Sequence, residues 1–165
     1  QSKAKHAMYL EIQPHGTRTC ARHALNNVLQ GPYASYEDFY NIYQTLCHSN
    51  TISSYYKTKL ANSTNGIPHE GNHAFDNWSL TIPLQWLSLH GYFSNHLPAL
   101  TSFLDPAFKN GQFLIYTQLG THNCHHAVAV VDNVLYDSLC SHPIPIPATD
   151  LKKYRIQKVW QEQKQ

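Results

Sequence analysis

Charge is scarce in this chain, and the two signs nearly cancel. Only 13% of the 165 residues are charged, and the formal net charge is +2. Proteins that bind nucleic acid or anionic membranes usually present a strongly basic surface. The composition therefore predicts no nucleic-acid partner and no membrane partner.

Long apolar runs are also absent from the sequence. No stretch approaches the roughly 20 apolar residues that a membrane-spanning helix needs, and residues 1–5 carry no signal-peptide core. Cysteine is sparse, with four residues at irregular spacings and no Cys-x-x-Cys pair. Small secreted disulfide scaffolds have more cysteine in a shorter chain. We therefore expect free thiols in a reducing, cytoplasmic compartment.

Apolar residues make up 42% of the chain, which is typical of a packed globular protein. The length allows one substantial core and is short for two ordinary domains. We expect residues 1–165 to form a single domain, and we expect that domain to be part of a longer protein.

Helical periodicity marks the first half of the chain. Apolar residues at i, i+3, i+4, i+7 and i+8 predict a helix that begins near Thr19 or Cys20 and stops at Gly31-Pro32. A second helix is predicted at about 35–47, after a Ser/Asp capping pattern. A third is predicted at about 80–90, with Ser79 as its cap and burial on most sides. A short helix is also predicted at 53–61.

The second half is typical of strands with turns between them. Residues 8–13 also alternate weakly and predict a short strand or an extended lead-in. Asp132-Asn133 has the length and composition of a two-residue hairpin turn. Helices followed by a meandering, mainly antiparallel sheet predict an α+β fold. The predicted strands are Tyr92–Asn95, Gln112–Tyr116, His125–Val131, Val134–Asp137 and Tyr154–Val159.

Cys20 is the candidate nucleophile because it begins the first predicted helix. The positive end of a helix dipole and a nearby imidazolium both favour the thiolate, which is the reactive form of cysteine. Inert burial is the ordinary alternative for a single cysteine. A histidine and a carboxylate far downstream favour catalysis, since the members of a thiol-hydrolase site are assembled by the fold.

His126 and Asp137 are the candidate base and orienting group. His126 precedes the apolar run 127–131, and a rigid strand is a good mount for a general base. His125 is its rival, and strand alternation places the two on opposite faces, so only one can meet Cys20. Asp137 lies across the predicted hairpin, where it can accept the second imidazole N–H. Its alternative role is to form a turn.

Gln13 is the candidate oxyanion donor, together with the backbone N–H of Cys20. A metal site competes for part of the same region, because imidazole and thiol groups crowd into a short window. Their spacings match no zinc-finger pattern, and strand alternation would splay neighbouring ligands, so we expect no metal and no cofactor. The residues in that window are His122, Cys124, His125, His126, Cys140 and His142.

The run at 20–31, Cys-Ala-Arg-His-Ala-Leu-Asn-Asn-Val-Leu-Gln-Gly, resembles the active-site helix of the Josephin family of deubiquitinating cysteine proteases. Residues 9–13 are similar to that family's oxyanion-glutamine segment, and residues 71–82 to its loop and central helix. His126 and Asp137 match its histidine at a strand start and its Asn/Asp. The run that begins at His126 is also similar to papain-like proteases, the broader clan of the family.

The resemblance implies a papain-like Josephin fold, in which a catalytic domain packs the cysteine helix on the sheet that carries His126 and Asp137. It implies hydrolysis of the bond after the C-terminal glycine of ubiquitin, with ubiquitin or polyubiquitin chains as the substrate. Cys20 would attack, His126 would take and return the proton, and Asp137 would hold the imidazole while a ubiquitin thioester forms. If the source is a bacterial pathogen, the resemblance implies an effector in the host cytosol.

Departures from the family pattern leave alternatives open. Family members usually place the glutamine five residues before the cysteine, where this chain has His15, so either Gln13 or His15 completes the oxyanion hole. The stretch 126–137 is shorter than is typical, and Ala127 replaces the usual aromatic residue. The competing functions are another papain-like thiol hydrolase, such as a peptidase or deamidase, and a ubiquitin-binding module with weak catalysis.

Overall fold

Helices precede a sheet in this chain. A computed structural model describes residues 8–15, 19–48, 80–120, 124–147 and 151–165, and these contain three α-helices and one six-stranded antiparallel sheet. The predicted α+β class is therefore confirmed. The helices are α1 (Cys20–Leu29), α2 (Tyr36–His48) and α3 (Thr81–Leu89). The strands are β1 (Tyr92–His96), β2 (Gln112–Leu119), β3 (Cys124–Val131), β4 (Val134–Tyr136), β5 (Ile144–Pro145) and β6 (Tyr154–Lys164).

The strand order is β1-β6-β2-β3-β4-β5, with antiparallel pairing at every step. The predicted meander is correct for β2 to β4 and wrong for the last predicted strand, because β6 inserts between β1 and β2. Its 11 residues pair with both neighbours. The sequence pattern of β6 carries no signal for this long-range placement.

Strand alternation divides the core into two clusters, one on each face of the sheet. Ala127 and Ala129 of β3 face α1, where small side chains let the helix approach the sheet closely. Val128 and Val130 face the opposite cluster. That cluster also contains buried aromatic side chains, among them Phe103, Phe108, Phe113 and Tyr154.

Helix α1 begins at Cys20, as predicted, and its exit differs from the prediction by one residue. Gln30 has a left-handed backbone with φ 59°, and its N–H donates to the carbonyls of Asn26 and Asn27. Its side chain also bonds the segment before the helix, since Oε1 accepts from the N–H of Tyr9 at 2.9 Å. The side chain thus closes the helix and binds the incoming chain at the same place.

The second and third helices differ in how they begin. The predicted capping pattern of α2 is confirmed, because the N–H of Asp38 donates to Ser35 Oγ at 3.1 Å and the N–H of Ser35 donates back to Asp38 Oδ2 at 3.2 Å. Helix α3 has Leu80 at its N-cap position with φ 56° and no side-chain cap. The predicted cap Ser79 and the predicted helix at 53–61 lie outside the described residues.

Three further details of the prediction can be compared with the structure. Leu89 of α3 is 64% exposed, so the prediction that this helix is buried on most sides is wrong at its last turn. Of the two predictions for residues 8–13, the strand is wrong, and a lead-in without regular structure is what the chain forms. The sequence also did not predict β5 or the two 3₁₀ helices, Pro106–Lys109 and Leu151–Lys153. Within the described part of the chain, no helix is long and apolar enough to cross a membrane.

The predicted hairpin turn positions the second half of the site. Asp132 and Asn133 both have positive φ, 46° and 68°, which is the conformation that a two-residue turn between antiparallel strands requires. The turn pairs Val131 with Val134 and returns β4 alongside β3. The residue that follows β4 therefore lies near the start of β3.

Candidate active site

The β3–β4 hairpin brings His126 and Asp137 together. Nε2 of the imidazole lies 2.6 Å from Oδ1 of the carboxylate. His126 is 4% exposed and Asp137 is 2% exposed, so water does not screen this pair as it would a surface ion pair. The contact occupies one ring nitrogen and fixes the orientation of the imidazole.

His125 and His126 point to different partners, as strand alternation predicts. His125 is exposed, and its Nδ1 lies 2.5 Å from the hydroxyl of Tyr116. The backbone of His126 is held from β2, because Thr117 Oγ1 donates to the His126 carbonyl at 2.8 Å. The rival histidine is thus bound elsewhere, and His126 is the one beside Asp137.

Asp137 accepts hydrogen bonds on both of its oxygens. Besides His126, the N–H of Leu139 donates to Oδ1 at 2.9 Å, and the hydroxyl of Tyr154 donates to Oδ2. Burial alone would raise the pKa of Asp137, but hydrogen bonds and the charge of His126 outweigh burial and lower the pKa to about 2. Asp137 is therefore ionised at neutral pH.

Cys20 is the second hydrogen-bond partner of the His126 side chain. It is the first residue of α1, 3% exposed, and the first turn contains no acidic residue that would oppose a thiolate. Burial would lower the pKa of His126, but hydrogen bonds to Asp137 and Cys20 and their charges raise it from 6.5 to about 9. Because Asp137 occupies Nε2, Nδ1 is the ring nitrogen left for the sulfur.

Gln13 is bound to the residue next to Asp137. The N–H of Gln13 donates to the Ser138 carbonyl at 2.8 Å, and Ser138 Oγ donates to Gln13 Oε1 at 3.1 Å. The amide Nε2 is the other end of that side chain and is the kind of donor that an oxyanion hole needs. His15 is exposed in a turn. These contacts favour Gln13 over His15 as the oxyanion donor.

A polar network ties the segment that carries Gln13 to α1. Glu11 Oε1 lies 2.5 Å from His23 Nδ1, and the Asn26 amide donates to both carboxylate oxygens at 3.0 Å. The Asn27 side chain accepts from the N–H of Glu11 at 2.6 Å. The two adjacent asparagines of α1 therefore hold the lead-in against the helix. Sequence analysis did not assign this role to Glu11.

Cys140 is a second free thiol near the site but a poor nucleophile. Its Sγ lies 3.8 Å from the Tyr154 hydroxyl. Burial and the negative charge of Asp137 raise the pKa of Cys140, so its thiolate is disfavoured. Among the described side chains, no group of three or more His, Cys, Asp or Glu residues could hold a metal.

Tyr154 and Thr117 are site residues that sequence analysis missed. Each reaches its partner from another strand, Tyr154 from β6 across 17 residues and Thr117 from β2 across 9 residues. The only local signal for Tyr154 was an aromatic residue with a polar tip at the start of a predicted strand, which is common. The sequence-predicted residues Cys20, His126 and Asp137 do lie together, and Gln13 is bound beside them through Ser138.

No protein-family model matches this chain, and comparison with curated proteins finds no match either. Any function proposed for this chain therefore depends on the geometry of the site and on the sequence of its described residues.

Proposed function

We propose that this protein is a cysteine-type deubiquitinase with a papain-like Josephin fold, in which Cys20, His126 and Asp137 form the catalytic triad. The observation that carries the proposal is the buried imidazole of His126, whose Nε2 lies 2.6 Å from Asp137 Oδ1 and whose side chain also hydrogen-bonds Cys20 at the start of α1. A thiol, an imidazole and a carboxylate in this order are the components of a thiol hydrolase.

The resting site favours a thiolate–imidazolium pair. The pKa of His126 is raised to about 9, so its ring is protonated at neutral pH beside a sulfur at a helix N-terminus. Asp137, ionised, stabilises the imidazolium and keeps the ring in one orientation. The proposed mechanism therefore starts from this ion pair, in which the proton already lies on His126.

Catalysis then proceeds by acyl transfer. The sulfur of Cys20 attacks the carbonyl carbon of the terminal glycine, and the oxyanion accepts hydrogen bonds from the Cys20 N–H and the Gln13 amide. His126 gives its proton to the leaving amine, which departs and leaves a ubiquitin thioester. His126 next takes a proton from water, which attacks the thioester and releases the ubiquitin carboxylate and the Cys20 thiolate.

Ubiquitin is the proposed substrate because residues 20–31 resemble the Josephin active-site helix. A reducing, cytosol-like compartment follows from the chemistry, since Cys20 acts only as a free thiol. Cys20 and Cys140 are both free thiols in the structure.

The test is covalent labelling by ubiquitin that carries a C-terminal electrophile. We expect wild type to be labelled, Cys20→Ala not to be labelled, and Cys140→Ala to be labelled at the wild-type rate. Cleavage of a panel of di-ubiquitins would then give the linkage preference. Absence of labelling in wild type, or labelling of Cys20→Ala, would contradict the proposal. Labelling by a related modifier but not by ubiquitin would support the proposed triad and contradict ubiquitin as the substrate.

A further inference from the structure

The carboxylate of Asp137 has more acceptor capacity than His126 can fill. An ionised carboxylate has two oxygens with about four lone-pair sites, and a buried polar atom without a partner is costly. Oδ1 accepts from His126 Nε2 at 2.6 Å and from the N–H of Leu139 at 2.9 Å. Oδ2 accepts from the hydroxyl of Tyr154. Tyr154 therefore holds the oxygen that faces away from the imidazole.

Tyr154 is itself held rigidly. It begins β6, pairs with Leu119 of β2, and is 5% exposed. Its ring meets the ring of Phe103 edge-on, with 5.9 Å between centroids and an interplanar angle of 76°. The hydroxyl is thus fixed by the sheet and by the core on the face opposite α1. A rigid mount of this kind can hold a catalytic carboxylate in a single position.

The titratable and charged groups around this carboxylate come from four parts of the fold. His126 comes from β3, Cys140 from the segment after β4, and Cys20 reaches His126 from α1. Lys153, next to Tyr154, has its Nζ 5.2 Å from the centre of the Tyr154 ring. Cys140 is the one other side chain in contact with the Tyr154 hydroxyl among those described here, and a thiol is a weak donor.

We propose that Tyr154 is a positioning residue that completes a four-membered relay, Cys20–His126–Asp137–Tyr154, by fixing and keeping ionised the carboxylate that orients the imidazole. The inference extends the proposed function, because it assigns a role to a residue that does not touch substrate. The proposed role of Tyr154 depends on one charge-assisted hydrogen bond from its hydroxyl to Asp137, inside a buried site where such bonds are strongest.

Removing only the hydroxyl tests the inference. In Tyr154→Phe, Oδ2 loses its donor, so the Asp137 carboxyl should bind a proton more readily and its pKa, about 2 in wild type, should rise by at least one unit. Carbon-13 NMR of the Asp137 side chain measures this directly and needs no substrate. In ubiquitin hydrolysis we expect kcat to fall about tenfold with KM within about twofold of wild type, because Tyr154 acts through Asp137.

Two controls separate positioning from packing. Phe103→Leu weakens the packing of the Tyr154 ring but keeps the hydroxyl on its strand, so it should lower thermal stability and move the Asp137 titration much less than Tyr154→Phe does. Tyr92→Phe removes a hydroxyl from β1 at the far end of the sheet and should change neither the titration nor kcat. An Asp137 titration that stays at the wild-type value in Tyr154→Phe would overturn the inference, whatever happens to kcat.

A measurement on wild type covers the case in which Tyr154→Phe does not fold. The hydroxyl proton of Tyr154 should give a resolved downfield resonance that exchanges slowly with solvent, because it is buried and bonded to a carboxylate. Its absence would overturn the inference. The NMR measurements also separate this inference from the proposed function. If wild type does not hydrolyse ubiquitin but Tyr154→Phe shows the expected shift of the Asp137 titration, the ubiquitin substrate is contradicted and the role of Tyr154 is supported.

Discussion

The described residues contain two carboxylate–histidine pairs, and the proposed function uses only one of them. Glu11 Oε1 lies 2.5 Å from His23 Nδ1, and Asp137 Oδ1 lies 2.6 Å from His126 Nε2. Both imidazoles are 4% exposed. By distance and burial of the imidazole, the two pairs are nearly the same.

They differ in what the second ring nitrogen meets. His126 interacts with the thiol of Cys20, whereas Nε2 of His23 is buried without a hydrogen-bond partner among the described residues. The Glu11 pair ties the lead-in to the side of α1, and the Asp137 pair lies at the start of that helix, where the dipole favours a thiolate. A carboxylate–histidine contact therefore does not by itself indicate catalysis. The His126–Asp137 pair supports the proposed function because the thiol of Cys20 lies at the start of α1 next to it.

The largest expected effect comes from replacing each histidine by asparagine. At pH 6, His126→Asn should slow carboxamidomethylation of Cys20 by iodoacetamide about 10²-fold, because the thiolate loses its imidazolium partner and the sulfur is left mostly protonated. His23→Asn should leave the rate within about threefold of wild type. Mass spectrometry of the peptide that contains Cys20 measures both rates and does not depend on the identity of the substrate.

Equal rates of Cys20 alkylation in His126→Asn and His23→Asn would show that the two pairs do not differ in their effect on the thiol. A large loss in His23→Asn would be equally damaging, provided that circular dichroism shows both variants folded. Wild-type ubiquitin hydrolysis should also fall as pH rises through about 9, because His126 then has no proton to give to the leaving amine.

Much of the His126–Asp137 pair could be predicted because it depends on short-range patterns. The apolar spacing after Cys20 predicted α1, and Asp132-Asn133 predicted the hairpin that returns Asp137 to His126. Strand alternation then separated His126 from His125. Each of these inferences needs only neighbouring residues and the geometry of one helix or one hairpin.

The supporting residues could not be predicted because their partners are distant in the chain. Tyr154 reaches Asp137 only because β6 inserts between β1 and β2, and no local pattern determines that order. Glu11 meets α1 through a lead-in without regular structure, so no periodicity describes its contacts. The sequence thus indicated the reacting groups, and the groups that hold them required the tertiary structure.

A smaller effect is expected from Glu11→Gln, which tests the structural pair. Burial raises the pKa of Glu11, but hydrogen bonds from His23, Tyr9 and Asn26 outweigh it and lower the pKa below 4.5. A carboxyl with a lowered pKa stabilises the folded state above its unfolded pKa, and this contribution is lost as pH falls through the folded value. We expect the free energy of unfolding to drop by about 2 kcal/mol at pH 7.

Urea denaturation at pH 7 and below pH 4 measures this difference. The gap between wild type and Glu11→Gln should narrow at the lower pH, and Glu37→Gln, at an exposed position in the first turn of α2, should show almost no gap at either pH. If the difference in the free energy of unfolding between wild type and Glu11→Gln does not change with pH, Glu11 stabilises the fold through its packing and not through its charge.

The smallest effect has the opposite sign and comes from Glu162, a buried carboxylate with no histidine beside it in the described structure. Ser94 donates to Oε2, while Oε1 is buried without a partner in the same part of the chain. Burial raises the pKa of Glu162 to about 7, although the Ser94 hydrogen bond lowers it. The folded state therefore disfavours the ionised form, and the carboxyl costs stability increasingly from about pH 4.5 to pH 7.

Glu162→Gln removes this charge and should stabilise the protein by about 1 kcal/mol at pH 8, with the gain absent near pH 4. The increase in the free energy of unfolding is smaller than the full cost of burying the charge, because the new amide group is itself buried at the place where Oε1 has no hydrogen-bond partner. Urea denaturation at the two pH values checks it against Glu37→Gln. Destabilisation at pH 8 would show that the ionised Glu162 is satisfied in solution. Burial alone would then not explain why the pKa of Glu162 is raised and that of Asp137 is lowered.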